Sequence, residues 1–266
     1  MAETKMNVQL IAHTQLSEEF NTMEGNYGLH GLTDEFGASD GQLVALTAIR
    51  TCYSANKPTE IVAKEGAKYF GSKASDGGAG TDADRLFRHI FASKHTSTLE
   101  HISFTFAIEG VSRALLAQLT RHRAGFSFSV QSQRYVRMGR DDRSGGFDYV
   151  MPPTVTEDKK VDHSPSLDFT HYISAVDHFG DAMEMIQDVY DELRSLGVPA
   201  EDARAVLPNA AATNLVMTAN LTALLSFYSK RKKGRGAQAE ITELAEALRR
   251  EVVAVEPWTD QFFEEV

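Results

Sequence analysis

Apolar and polar positions alternate between His101 and Glu109, which predicts a strand with Ile102, Phe104, Phe106 and Ile108 on one face and His101, Ser103 and Thr105 on the other. Ser112 then occupies a capping position, and Leu115, Leu116 and Leu119 form the stripe of a helix running to about Arg121. Phe126, Phe128 and Val130 alternate with Ser127 and Ser129, the pattern of an extended edge laid against other structure. The clearest helical period lies between Ser166 and Leu196. Ile173, Val176, Phe179, Met183, Ile186, Tyr190 and Leu193 recur there at steps of three and four, until Gly197 and Pro199 stop the helix. Pro199 opens a short helical turn that closes by Pro208, and Thr213–Thr218 is β-prone. Asn220 is an N-cap for a helix over Leu221–Arg231, and a last helix spans about Gln238–Val253 with Ile241, Leu244, Leu248 and Val252 inward. Asp40–Tyr53 and Thr81–Ser93 are shorter helices.

Three stretches read as loops, Ser72–Thr81, Gly139–Phe147 and Glu157–Pro165, and none is long enough for a domain linker. Helices and a few strands are interspersed without a regular βαβ repeat or a Gly-x-Gly-x-x-Gly turn, so the expectation is one mixed α+β domain over residues 1–266 rather than a Rossmann fold. With 27 basic and 37 acidic residues the net charge is −10, which disfavours a uniformly basic nucleic-acid or membrane coat. The single cysteine, Cys52, excludes an internal disulfide, and no apolar run is long enough for a signal h-region or a spanning helix. A cytoplasmic protein is expected.

Chemistry concentrates in three places. Gln118–Arg137 mixes arginines and a histidine with serines, glutamines and aromatic rings; guanidinium forks match phosphate or carboxylate oxygens, and flat rings stack on heterocycles. If the helix reaches Arg121, Gln118 and Arg121 share a face at i and i+3. The alternative is a solvated basic turn. His95-Thr-Ser-Thr-Leu-Glu-His101 carries two histidines and a glutamate, but the spacing is not that of a zinc helix, so no metal is expected and a polar loop is the simpler reading. Ser229–Gly236 inverts the sign of the chain locally, with Lys230, Arg231, Lys232, Lys233 and Arg235; it is an anion patch or a solvated helix C-terminus. Cys52 has no histidine motif around it and reads as a small side chain rather than a nucleophile.

In this order the blocks resemble the flavin-dependent (alternative) thymidylate synthases. Arg121-His122-Arg123 is followed by Ser132-Gln133-Arg134-Tyr135, with one intervening residue more than the family signature has. The resemblance extends through Ala48-Ile-Arg-Thr-Cys-Tyr53, His95-x-Ser-x-x-Glu-His101, Gly197-x-Pro-x-x-x-Ala-Arg204-x-x-Leu-Pro208, Thr218-x-Asn220, Arg231 and Ala237-Gln-x-Glu-Ile241, most of the chain.

The resemblance implies helices packed on a central, mostly antiparallel sheet, and a homotetramer with active sites shared between subunits. It implies reductive methylation of dUMP to dTMP, with methylenetetrahydrofolate as carbon donor and NADPH as reductant through FAD. No enzyme thiol is needed in the mechanism it implies. Carried over by position, dUMP would meet Gln118, Leu119, Thr120, Arg121, Ser132, Gln133, Arg134, Arg204 and Arg231, with Arg231 favouring the ionised uracil ring. FAD would meet His95, Ser97, Arg121, His122, Arg123, Val130, Asn220, Thr222 and Ser226. Val130 stands where an acid or amide is usual, and Thr222 and Ser226 replace Arg and Asn. These departures keep two alternatives open: a degenerate, non-catalytic nucleotide- or flavin-binding homologue, and a nucleic-acid-binding protein using Arg121–Arg137 and Lys230–Arg235.

Overall fold

A computed structural model of the chain describes residues 1–22, 29–162 and 172–266. The elements run β1 (Asn7–His13), α1 (Glu18–Thr22), α2 (Leu29–Phe36), α3 (Asp40–Thr51), α4 (Pro58–Phe70), α5 (Asp82–Ala92), a 3-10 segment (Thr96–His101), β2 (Ser103–Ser112), α6 (Arg113–Leu119) and β3 (Phe126–Val130). They continue with β4 (Lys160–Asp162), β5 (Tyr172–Ser174), α7 (Ala175–Ser195), α8 (Ala200–Ala203), β6 (Ala212–Asn220), α9 (Leu221–Arg231), α10 (Ala239–Val255) and α11 (Asp260–Glu265).

Four strands form an antiparallel sheet in the order β1-β2-β6-β3, and β4 and β5 form a separate antiparallel pair. The alternation in β2 sets the layering: Phe104, Phe106 and Ile108 are fully buried, as are Ile102 before them and Met217 on β6. Against this face pack α3, α4, α5, α9 and α10, with Leu46, Phe87, Leu224, Phe227, Ile241 and Trp258 in one apolar cluster. The opposite face of the sheet carries small and polar groups; Thr105 and Thr218 hydroxyls lie 2.9 Å apart across β2 and β6, and Val216 stays 41% exposed. This is an α+β fold with helices packed on a central antiparallel sheet.

A second apolar cluster joins Met138, Phe147, Met183, Tyr190 and Ala203, where α7 covers the 137–150 segment. Gln187 is fully buried there, and its amide closes the segment by donating to the Met138 carbonyl at 2.9 Å and accepting from the Phe147 N–H at 2.9 Å. A buried amide satisfied on both sides pins irregular chain that no ladder holds.

The helix expected over Ser166–Leu196 begins at Ala175, because Ser174 caps it by accepting from the Asp177 N–H and Tyr172–Ser174 is extended; residues 166–171 lie outside the described residues. Lys160–Asp162, expected within a loop, pairs with that strand, and residues 163–165 also lie outside the described residues. His101 belongs to the 3-10 segment, so the strand starts at Ser103. The α10 helix is not the last, since Pro257 restarts the chain and Asp260–Glu265 buries Phe262 and Phe263.

Candidate functional site

Ser112 joins β2 to α6. Its hydroxyl accepts from the Leu115 N–H at 3.0 Å and donates to Glu240 at 2.6 Å, so this junction is capped and fastened to α10. The helix ends at Leu119, and Thr120 forms its C-cap with the N–H on the Leu116 carbonyl. Arg121 therefore lies beyond the helix, and the shared helical face expected for Gln118 and Arg121 does not form. The chain must reverse to enter β3, and Gly125 makes this possible at φ +75°. A Cβ on Gly125 would stand 2.7 Å from the Ala223 Cβ and 2.8 Å from the Asn220 amide nitrogen. Turn and cap are thus in contact: Asn220 accepts the Ala223 N–H at 2.8 Å, and its own N–H donates to the Gly125 carbonyl at 3.2 Å.

His122 is held in this turn by rings and cations. Phe227 meets it edge-on with centroids 5.0 Å apart, and Arg231 donates from Nε to His122 Nε2 at 3.3 Å. Burial, then the charges of Arg231, Lys230 and Arg121, hold the imidazole below its ordinary pKa, so the neutral ring that accepts from Arg231 is the favoured form. Among the described residues no carboxylate forms an ion pair with Arg121, Arg123 or Arg231. Gathered cations without a counter-charge attract an anion.

The same end of the sheet meets the 3-10 segment. Thr222 in α9 donates its hydroxyl to the Thr96 carbonyl at 2.8 Å, so Thr222 ties α9 to the chain bearing His95 and Ser97. Ser226 is exposed on the same helix. His95 and Ser97 line a cavity of about 720 Å³ whose walls include Leu16, Phe20, Val44 and Cys52. His95 Nδ1 lies 3.0 Å from the Tyr53 hydroxyl. Cys52 is exposed, its thiol facing the Ala48 carbonyl at 3.8 Å.

Ser132, Gln133, Arg134 and Arg204 lie at the other end of β3. Five residues of strand, roughly 15 Å, separate the His122 turn from Ser132. Ser132 accepts the Arg134 N–H at 3.2 Å, Gln133 is 6% exposed, and Arg134 pairs with Glu201 at 2.6 Å. Arg204 donates from Nε to the Glu201 carbonyl at 2.9 Å and has no ion pair to a described carboxylate. Leu119 is fully buried, so only its backbone faces outward, and the Thr120 hydroxyl donates to the Leu116 carbonyl. Gln118 reaches the other way, donating to Gln238 at 2.5 Å. Val130, half-buried, ends β3 against the main core.

The sequence reading quoted Tyr53 and Gln238 in the resemblance blocks but gave them no contact, and it passed over Arg113. The first two acquire partners 42 and 120 residues away, which no local pattern encodes. Arg113 did carry a signal: a cation in the first turn of a helix opposes the helix dipole, which marks a residue kept for another reason. Among the described residues, no group of three or more His, Cys, Asp and Glu side chains converges on a metal position.

Fold and site together define an α+β protein with donors for anionic ligands at both ends of one edge strand and an apolar cavity beside one of them. Residues 35–258 match the family described as thymidylate synthase complementing protein. The chain is 38% identical to the flavin-dependent thymidylate synthase of Geobacter sulfurreducens over 82% of its own length and 80% of the relative's, and 35% identical to that of Haloarcula marismortui over 68% and 75%. It belongs to the flavin-dependent thymidylate synthase family. Two solved structures share the fold. One is the UMP/dUMP methylase PolB from Streptomyces cacaoi bound with 5-Br dUMP, with TM-score 0.65, 21% identity and coverage of 99% and 96% of the two chains. The other is thymidylate synthase X from Helicobacter pylori with FAD and dUMP, with TM-score 0.57, 22% identity and 98% of each chain.

Proposed function

We propose that this protein is a methyltransferase that makes dTMP from dUMP by reductive methylation, with methylenetetrahydrofolate as carbon donor, NADPH as reductant and FAD between them. One observation carries the reading in a chain of this family: the charges of Arg231 and Arg121 act on a neutral His122 beside the Asn220 helix start, and among the described residues neither they nor Arg123 pair with a carboxylate. The donor set fits FAD. Unpaired guanidinium groups suit the pyrophosphate, and the cavity beside His95 and Ser97 has apolar walls for a flat ring system. Bound there, FAD would supply the hydride that reduces the transferred methylene.

The chain's own residues bind and polarise. The uracil ring must lose its N3 proton to become nucleophilic at C5, and Arg231 is the group proposed to favour that anion. His122 accepts from Nε and fixes the guanidinium plane, which leaves the two Nη groups to face the pyrimidine edge. A neutral His122 matters here, since an imidazolium would offer Arg231 a donor instead of an acceptor. Gln118, Leu119, Thr120 and Arg121 at one end, and Ser132, Gln133, Arg134 and Arg204 at the other, are the proposed dUMP contacts. His95, Ser97, Arg121, His122, Arg123, Val130, Asn220, Thr222 and Ser226 are the proposed FAD surroundings, with Thr222 acting through the position of the Thr96 segment because its hydroxyl is already committed.

The two nucleotide half-sites lie too far apart on one chain to grip one pyrimidine nucleotide, which supports a homotetramer in which each active site takes its halves from different subunits. The exposed outer face of the sheet, Val216 included, is available for such packing. The chain is read as a single domain over residues 1–266. No helix among the described residues is long and apolar enough to cross a membrane, in keeping with a cytoplasmic site of action. The test is direct. Protein reconstituted with FAD should oxidise NADPH in a dUMP-dependent manner and, with methylenetetrahydrofolate added, should form thymidylate. Folded protein that binds dUMP and FAD yet forms none would be the degenerate homologue instead.

A further inference from the structure

The loop that follows Arg134 carries three arginines with different surroundings. Arg140 pairs with Glu184, Asp188 and Asp191 of α7 at 2.7, 2.6 and 3.2 Å. Arg137 and Arg143 are exposed and make no ion pair among the described residues. With Gln131, Tyr135, Asp142 and Ser144 they line a recess of about 430 Å³. The loop that presents them is fastened: Ser144 donates its hydroxyl to the Arg137 carbonyl at 2.7 Å, the Met138 N–H donates to the Tyr190 hydroxyl at 3.1 Å, and the buried Gln187 amide holds Met138 and Phe147. Tyr135 is 78% exposed, so a large flat ring stands uncovered at the recess. Asp142 accepts the Gly139 N–H on Oδ2 at 3.0 Å, which leaves Oδ1 as an acceptor among donors.

We propose that this recess holds the adenosine 2′-phosphate of NADPH, with Arg137 and Arg143 as its ligands and the Tyr135 ring against the adenine, so that the loop selects NADPH over NADH. The inference rests on the reading of the protein as a dUMP-methylating enzyme that draws its hydride from a nicotinamide nucleotide, and adds the residues that choose that nucleotide. The chemistry of the lining favours a phosphomonoester. Such a group carries close to two negative charges and three acceptor oxygens on one phosphorus, which two guanidinium forks match together. The carboxylates of a folate tail carry one charge each, and Asp142 would repel them, whereas it accepts from an adenine amine or a ribose hydroxyl. The position agrees. Gln131 and Tyr135 flank Ser132-Gln133-Arg134 in the chain, so a reductant anchored here lies beside residues proposed to hold dUMP.

The experiment compares NADPH with NADH, which lacks only the 2′-phosphate, in dUMP-dependent oxidation by the FAD-loaded protein. Wild type should show a KM for NADPH at least about tenfold below that for NADH, and calorimetric titration should give 2′-AMP at least about tenfold tighter than its isomer 5′-AMP. Arg143→Met should raise the NADPH KM by about tenfold with kcat within about twofold, leave the NADH KM within about twofold, and abolish the preference for 2′-AMP. A merely structural role would move both nucleotides alike. Arg137→Met should act in the same direction and decides the matter should Arg143→Met not fold. Folded variants that keep the wild-type ratio of the two KM values overturn the proposal, and a rise in the methylenetetrahydrofolate KM instead would assign the recess to the folate tail. Wild type that forms thymidylate with NADH as readily as with NADPH sinks the phosphate recess alone; wild type that oxidises neither nucleotide in the presence of dUMP sinks the underlying reading as well.

Discussion

His122 and Arg231 show how much depends on a single contact. The imidazole accepts from a guanidinium 3.3 Å away, and both groups lie among further cations. The sign of the pH response follows from the lowered pKa. The fold disfavours the imidazolium, so this contribution to stability is full above the unfolded value of 6.5 and is lost as pH falls through the lower folded value. Arg231→Ala removes one of the charged neighbours that depress the ring, so the His122 pKa should rise, as imidazole proton resonances followed against pH would show. The same variant should lose most turnover while retaining FAD. An unchanged His122 titration would mean that the charge of Arg231 contributes nothing to its pKa. Cys52→Ala should keep substantial activity, because its exposed thiol has no histidine partner in the structure. Near-total loss in a folded, FAD-loaded Cys52→Ala protein would give the thiol a role in the chemistry.

At the scale of elements, the strand-to-helix junction at Asn220 does two things that can be separated. Its Oδ1 caps α9, and its amide nitrogen faces the turn at Gly125. Asn220→Ala should destabilise the protein by about 1 kcal/mol through the lost cap. Asn220→Asp preserves a cap of similar strength and replaces the amide donor with a carboxylate. Thermal unfolding of the FAD-free Asn220→Asp protein should therefore stay near wild type while FAD affinity falls. If FAD affinity is unchanged, Asn220 serves the helix alone. This junction was readable from local order, since an Asn between a β-prone run and a helical period is a cap wherever it occurs. The end of α6 was not: its stripe continues to Leu119, and what stops the helix is a glycine turn packed against Ala223 and Asn220, roughly a hundred residues on in the chain.

Across the whole molecule, the C-terminal segment closes on the start of α3 through Glu256, which is 1% exposed. Ser39 donates its hydroxyl to this carboxylate, and Trp258 donates from Nε1 at 2.6 Å. Gly41 has no room for a Cβ, since the Glu256 Oε1 would stand 2.3 Å away. Burial pushes the carboxyl above its ordinary 4.5, opposed by these hydrogen bonds and by the charge of His13. A raised folded value means that the folded state holds the proton more tightly than the unfolded chain. Stability from this group is therefore present below 4.5 and is lost as pH rises through the folded value. Glu256→Gln keeps the shape and removes the charge, so its melting temperature should fall less than that of wild type from about pH 5 to about pH 8. Parallel melting curves across that range would show that Glu256 titrates no differently in the folded chain.

Short-range order determined a good deal about this protein. Period and caps placed β2, α5, α9 and α10 within a few residues, and the ordered blocks around Arg121-His122-Arg123 and Ser132-Gln133-Arg134 carried the family and with it the reaction, because covalent spacing and residue chemistry are properties of the chain itself. Even the net charge of −10 proved compatible with anionic ligands, since charge acts locally and the basic groups are gathered. Only the tertiary structure decided that His122 accepts from Arg231, that Arg113 and Gln133 share a recess, and that the residues proposed to meet the nucleotide lie toward opposite ends of β3. Those facts arise from which strand pairs with which and which helix covers it, and contacts between residues a hundred positions apart leave no trace in local periodicity.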